Sequence, residues 1–294
     1  MASPLVDPAW IAAHRADPRV RIADVRWYLS APPGGPPQTP GKRGADEYAR
    51  GHIPGAVFID LDRDLSASPE RGPGRHPLPS AADFSALLAR LGIARDTLLV
   101  AYDDAGGAIA ARLWWLLRWF GHGGGRVLDG GLGAWIAAGY PLSTQVPAYP
   151  PAAPLDLVAG GPQTPGGVVD KAEVDRLRAL PGVALLDARA AERFEGRSEP
   201  VDARPGHIPG ARSAPFVENL VAPGGAFRAE AELCARYRAL GALEAETVVC
   251  YCGSGVTACH DLLALAIAGR DDALLYEGSW SDWARDASLP AATV

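Results

Sequence analysis

The chain has 294 residues, 48% of them hydrophobic, and a formal net charge of −6. That length suits one large domain or two of ordinary size, and the apolar content excludes a disordered chain. The acidic balance, without any long basic run, argues against nucleic acid or an acidic membrane surface as a partner. No apolar stretch approaches the about 20 residues needed to span a bilayer.

From the N-terminus, "MASPLVDPAWIAAHRADPRV" has no basic region followed by an apolar stretch. It is not read as a signal peptide, and a cytoplasmic protein is expected. The strand-like Ile22-Ala23-Asp24-Val25-Arg26 comes next, then a Pro/Gly stretch, Ala31–Gly44, read as a surface loop or insertion. "GHIPGA" follows at Gly51–Ala56. In Ser80–Gly92, Phe84, Leu87, Leu88 and Leu91 share one helical face, with Ser80 as N-cap and Gly92 as terminator. The strand-like Leu98–Tyr102 runs into the loop "YDDAGGAIAAR" and the apolar helix "RLWWLLRW", whose tryptophans read as core.

The second half repeats this order. Leu185-Leu186-Asp187-Ala188-Arg189 precedes a second "GHIPGA" at Gly206–Ala211. Leu233, Tyr237 and Leu240 form a helical stripe closed by Gly241, and Val248–Tyr251 reads as the matching strand. Asp129-Gly130-Gly131 with Trp135 corresponds to Glu277-Gly278-Ser279 with Trp280 or Trp283. An internal duplication follows: domains at residues 1–144 and 168–294, joined by a Pro/Gly-rich linker at 145–167. Apolar strands alternating with helices predict an α/β fold, two tandem domains each with a parallel sheet flanked by helices on both faces. Such sheets carry their sites at the carboxyl ends of strands.

At that position the second half reads "CGSGVTACH", Cys252 to His260. With Cys252 ending the strand and a helix starting near Val256 or Thr257, Gly253 and Gly255 permit a tight turn. Loop N–H groups and the helix N-terminus then converge on the sulfur, with hydroxyls from Ser254 and Thr257. Such a cradle favours a thiolate, a persulfide anion or a developing oxyanion, the setting of an activated sulfur nucleophile. A buried structural cysteine is the bland alternative, favoured for Cys234, Cys250 and Cys259. A zinc site from Cys250, Cys252, Cys259 and His260 lacks knuckle spacing, and Cys259 and His260 point about 100° apart on a helix. No metal is expected. A cysteine phosphatase would need an arginine where Ala258 stands. The first-half loop has Asp103 and Asp104 in place of the cysteine. Two carboxylates there would repel an anionic ligand, so that half reads as a scaffold or a wall of the site.

Taken together, "DVRWYL", "GHIPGAVFIDLD", "ARLWWLLRWFGH", "DGGLGAW", "DARAAERFEG", "GHIPGA", "CGSGVTAC" and "YEGSW" resemble the rhodanese-type sulfurtransferases in their tandem two-domain form. The resemblance covers nearly the whole chain. It implies an inactive N-terminal domain and transfer of a sulfane sulfur through a persulfide on Cys252. A small-molecule donor, a thiol or thioredoxin-like acceptor, and no cofactor follow from it. In this family the six-residue loop tracks the donor. Cys252, Gly253, Ser254, Gly255, Val256 and Thr257 are similar to the loop of members that use 3-mercaptopyruvate, whereas thiosulfate-using members carry Arg-Lys at the positions of Gly253 and Ser254.

The resemblance also makes Arg193 the cation for the donor's anionic end. Mercaptopyruvate-using members carry a second arginine where this chain has Asp202, a position that thiosulfate-using members can also fill with aspartate. Arg204, two residues on, is a candidate replacement. His52 is a candidate for proton movement, and His207 reads as part of a turn. Thiosulfate remains the alternative donor. A non-enzymatic persulfide carrier or rhodanese-like binding module is the alternative of another class.

Overall fold

A computed structural model describes residues 3–29, 41–161 and 166–294. The chain divides into two compact units. The first comprises Met1–Ser66, Pro79–Thr164 and Ala222–Phe227; the second comprises Ala67–Leu78, Pro165–Val221 and Arg228–Val294. Each half thus contributes a short segment to the other half's unit, which a single cut at the linker does not capture. Most of the Ala31–Gly44 stretch lies outside the described residues.

In the first unit, β1 (Leu5–Val6), β2 (Val20–Asp24), β3 (Ala56–Phe58), β4 (Leu98–Tyr102) and β5 (Gly125–Leu128) form one parallel sheet in the order β1-β5-β4-β2-β3. Every residue of β2 is buried, as expected for a strand covered on both faces. Ser80 Oγ accepts from Asp83 N at 3.1 Å and starts the helix Ala81–Arg90, which buries Phe84, Leu87 and Leu88. Each such side chain contributes roughly 1.5–3 kcal/mol on burial. The helix Ala110–Trp119 buries its residues from Ala110 to Leu117.

The proline-rich stretch after residue 144 is not a free tether in its described part. Tyr149 Oη donates to Gly55 O (2.8 Å), Ala152 N to Ala89 O (2.8 Å), Leu155 N to Ser85 Oγ (2.9 Å) and Gly160 N to Trp119 O (3.0 Å). An extended proline-rich chain leaves its backbone groups unpaired internally, so they are satisfied by laying the chain along the unit.

The second unit repeats the architecture. β6 (Gly167–Val169), β7 (Val183–Asp187), β8 (Arg212–Ser213), β9 (Thr247–Tyr251) and β10 (Leu274–Tyr276) pair in parallel in the order β6-β10-β9-β7-β8. Its core includes Val174, Leu185, Val249, Tyr251, Tyr276, Trp280 and Trp283. The repeated motifs perform one job in both units. Arg26 pairs with Asp24 and donates to Gly51 O at 2.8 Å; Arg189 pairs with Asp187 and donates to Gly206 O at 2.6 Å. A buried ion pair therefore ties the end of a central strand to the turn that opens each "GHIPGA". Breaking such a pair costs about 3–5 kcal/mol.

Among the described residues, no helix is long and apolar enough to cross a membrane.

Candidate active site

Both central strands end on a buried tyrosine, Tyr102 in β4 and Tyr251 in β9, and the next residue opens the loop. In the first unit that residue is Asp103. Its Oδ1 accepts from Ala105 N and Gly107 N (2.8 Å each), and its Oδ2 from Ile109 N (2.8 Å) and Ala110 N (2.9 Å). The loop is thus an anion cradle at a helix start, and the chain's own carboxylate fills it. This changes the reason for reading the first half as a scaffold. Asp103 does not stand beside an anion site to repel a ligand; it is the anion.

The second unit uses the same frame with Cys252 in place of Asp103. Trp280 N donates to Cys252 O at 2.9 Å, as Leu132 N does to Asp103 O at 2.8 Å. The following helix is Ala258–Ile267, with Thr257 at its N-cap, close to the expected start. Gly255 has φ +78°, and a Cβ there would lie 2.5 Å from Glu277 O, so only glycine fits. Cys252 is 2% exposed. Its N–H donates to Ser279 Oγ at 3.0 Å, and Ser279 in turn donates to Tyr276 O at 2.9 Å. Ser279 is the one non-glycine residue with positive φ, +52°, among the described residues. Strain of this kind concentrates where the surrounding structure holds a residue for a purpose. The first-unit counterpart, Gly131, has φ +54° and no hydroxyl.

The remaining loop positions are buried or half-buried, and two bring polar partners. Ser254 Oγ lies 2.7 Å from His76 Nδ1. Gly253 lies against two guanidinium groups: a Cβ there would be 2.9 Å from Arg75 Nη2 and 3.6 Å from Arg193 Nη1. Arg75 and His76 arrive on segment Ala67–Leu78, which packs in the second unit. Gly74 has φ +72°, and a Cβ there would lie 2.5 Å from Gly278 O. Arg75 N donates to Ser281 Oγ (3.1 Å) and Leu78 N to Glu277 Oε2 (3.0 Å). Thr257 makes no side-chain cap bond, and Val256 is buried.

Arg193 reaches the loop as expected. Its Nε and Nη2 donate to Glu199 (3.2 and 2.7 Å), and Nη2 also donates to Asp202 Oδ2 at 2.9 Å. Glu199 pairs in addition with Arg189 Nη1 at 3.1 Å, linking the site to the buried Asp187–Arg189 pair. Burial raises the Asp202 carboxyl above its ordinary value, against the pull of Arg75 and Arg193.

Two candidates are committed elsewhere. Arg204 donates to the carbonyls of Trp283, Ala284, Asp286 and Leu289 at 3.0–3.3 Å, so it closes the end of the helix Ser279–Trp283 instead of turning to the loop. His52 is fully buried and stacked on Tyr48, with Nδ1 2.8 Å from Tyr48 O and Nε2 3.0 Å from Gln145 O. Both ring nitrogens face carbonyls of the first unit's own backbone. His207 repeats the arrangement on Phe194. Cys250 is buried in β9, where burial pushes its thiol well up, and Cys259 Sγ donates to Gly255 O at 3.4 Å.

Segment 67–78 carries what sequence reasoning missed. Its one signal is an Arg-His pair framed by glycine and proline in "RGPGRHPLP".

The family model of the rhodanese-like domain matches residues 7–138 and 170–286. A Pseudomonas aeruginosa protein bearing the name of a 3-mercaptopyruvate sulfurtransferase is 44% identical over 286 residues, 96% of this chain and 95% of its own length. A Mycobacterium tuberculosis protein bearing the name of a thiosulfate sulfurtransferase, SseB, is 42% identical over 275 residues, 92% of this chain and 90% of its own. The crystal structure of SseA from Escherichia coli, a 3-mercaptopyruvate sulfotransferase, superimposes with a TM-score of 0.80 at 33% identity, covering 95% of this chain and all of that one.

Proposed function

The chain belongs to the rhodanese-like domain family and is a sulfurtransferase; from that membership we propose that it moves a sulfane sulfur from 3-mercaptopyruvate to a thiol acceptor through a persulfide on Cys252. The observation that carries this reading is the pair of equivalent loops. One holds a carboxylate on four N–H groups, and the other, on the same backbone frame, carries a cysteine at the equivalent position. A persulfide anion suits such a seat.

In the first half-reaction the Cys252 thiolate attacks the donor sulfur. The S–S bond forms, the C–S bond breaks, and its electron pair leaves on carbon as the pyruvate enolate. The donor's thiol proton ends on that carbon, so pyruvate departs and the persulfide stays anionic. The Ser254–His76 pair, 2.7 Å apart, carries this proton in this reading. Arg193 takes the donor carboxylate in this reading, supported by its Nη1 facing Gly253. In the second half-reaction an acceptor thiolate attacks the outer sulfur and releases the Cys252 thiolate, giving ping-pong kinetics.

Thiosulfate is the second reading, favoured by the similarity to SseB. The deciding experiment measures kcat/KM for 3-mercaptopyruvate and thiosulfate in parallel. A preference for 3-mercaptopyruvate is expected. A preference for thiosulfate would replace the donor and keep Cys252.

A further inference from the structure

Resting on the sulfur-transfer reading above, we propose that Arg75 is the second cation that binds the donor's anionic end, and that Asp202 is the positioning residue that holds Arg75 and Arg193 over the loop. Sequence position gives Arg75 no such role, since it lies in the half without a cysteine. Its backbone is nevertheless fixed in the second unit. Neighbouring Gly74 packs on Gly278, Arg75 N is bonded to Ser281 Oγ, and His76 meets Ser254. The side chain therefore starts beside the active loop.

Three observations give the guanidinium its function. First, Arg75 Nη2 lies 2.9 Å from the point where a side chain on Gly253 would begin, and Arg193 Nη1 lies 3.6 Å from the same point. The two cations therefore converge beside the residue that follows Cys252. Second, Arg75 Nε is buried and has no hydrogen-bond acceptor among the described residues. An unsatisfied buried donor is unfavourable and gains from an incoming acceptor. Third, the Arg75 side chain is 25% exposed whereas that of Asp202 is 4% exposed. The pair has its anion inside and its cation toward solvent, the order required to receive an anion.

Asp202 explains how two like charges stay together. Arg75 Nη1 donates to its Oδ1, and Arg193 Nη2 donates to its Oδ2 at 2.9 Å. Glu199 holds the far edge of Arg193. With Arg75 and Arg193 positive and Asp202 and Glu199 negative, the four groups sum to zero. A monoanionic carboxylate adds one negative charge to that set, and dianionic thiosulfate adds two. The same arrangement thus binds a carboxylate through two guanidiniums and disfavours a dianion.

The test uses the full chain with Arg75→Gln, Arg75→Lys and Asp202→Asn, each checked by thermal melting. Arg75→Gln keeps a donor for Asp202 and removes the charge. It is expected to raise the KM for 3-mercaptopyruvate about ten- to a hundredfold, the range for losing a hydrogen bond to a charged group, with kcat little changed. Arg75→Lys should recover part of the loss. Asp202→Asn should raise that KM as well and improve thiosulfate relative to 3-mercaptopyruvate. The Arg75 variants are also assayed with thiosulfate, so the KM ratio is read on whichever donor the parent turns over. A parent that fails on 3-mercaptopyruvate overturns the donor assignment alone. A parent that works, with folded Arg75 variants of unchanged KM, overturns the role of Arg75 and leaves Cys252 chemistry standing. A lower melting temperature with unchanged KM would mark the Arg75–Asp202 pair as structural.

Discussion

Replacing Asp103 by alanine tests whether the loop after the central strand is an anion cradle. The carboxylate is 1% exposed and accepts from Ala105, Gly107, Ile109 and Ala110. Leaving a buried N–H without an acceptor costs roughly 1–3 kcal/mol. Four such donors, partly recovered by water and loop relaxation, give a loss on the order of 4 kcal/mol. For a unit of this size that lowers the melting temperature by about 10 °C. Asp103→Asn should fall between, since its carboxamide keeps one acceptor oxygen but turns an NH2 group toward two amides. The assay is calorimetry of the intact chain, following the transition of the N-terminal unit. An unchanged melting curve for Asp103→Ala would refute the reasoning, because the loop amides would then need no anion.

Two further outcomes follow from single residues. Removing the hydroxyl that holds Cys252 N–H should lower kcat about tenfold or more in both Ser279→Ala and Ser279→Gly, as expected when a reacting group loses its positioning. The two variants should part in stability: alanine keeps the cost of φ +52° and glycine does not, so the glycine variant is more stable by roughly 1 kcal/mol. The second concerns pH. Asp261 is fully buried, its carboxyl is pushed up to about 7 by burial, and Oδ2 has no hydrogen-bond partner among the described residues. The folded state therefore holds this proton more tightly than the unfolded chain. The group's contribution is complete below the unfolded value of 3.8 and is lost as pH rises toward about 7. Asp261→Asn should flatten denaturant-measured stability across that window and raise it above pH 7, by up to roughly 4 kcal/mol. A parallel pH curve for the variant would exclude a titrating Asp261.

The repeat makes much of the fold legible. Two copies of the same motif order predict two equivalent sheets, and the strand orders of the units match position by position. The loop geometry is readable for the same reason, since strand, glycine pair and helix lie consecutively in the chain. Ser279 was within reach: aligned against Gly131, it is a side chain standing where the turn demands positive φ. Arg75 and His76 were not, because their place is set by how segment 67–78 docks around Gly74, a long-range packing event with no local periodicity. His52 and Arg204 were the opposite case. Each sits near a motif in sequence, but buried carbonyls claim its nitrogens, and the satisfaction of backbone acceptors decides where such side chains go.

The most direct measurement is intact-protein mass spectrometry after 3-mercaptopyruvate is added without acceptor. The account predicts a gain of one sulfur atom located on Cys252, one pyruvate released per chain, and loss of the added sulfur when a thiol is supplied through repeated turnovers. Cys252→Ser should show none of these. Sulfur transfer that persists in Cys252→Ser, or a parent that loads once and never turns over, would contradict the claim that Cys252 is the catalytic persulfide carrier.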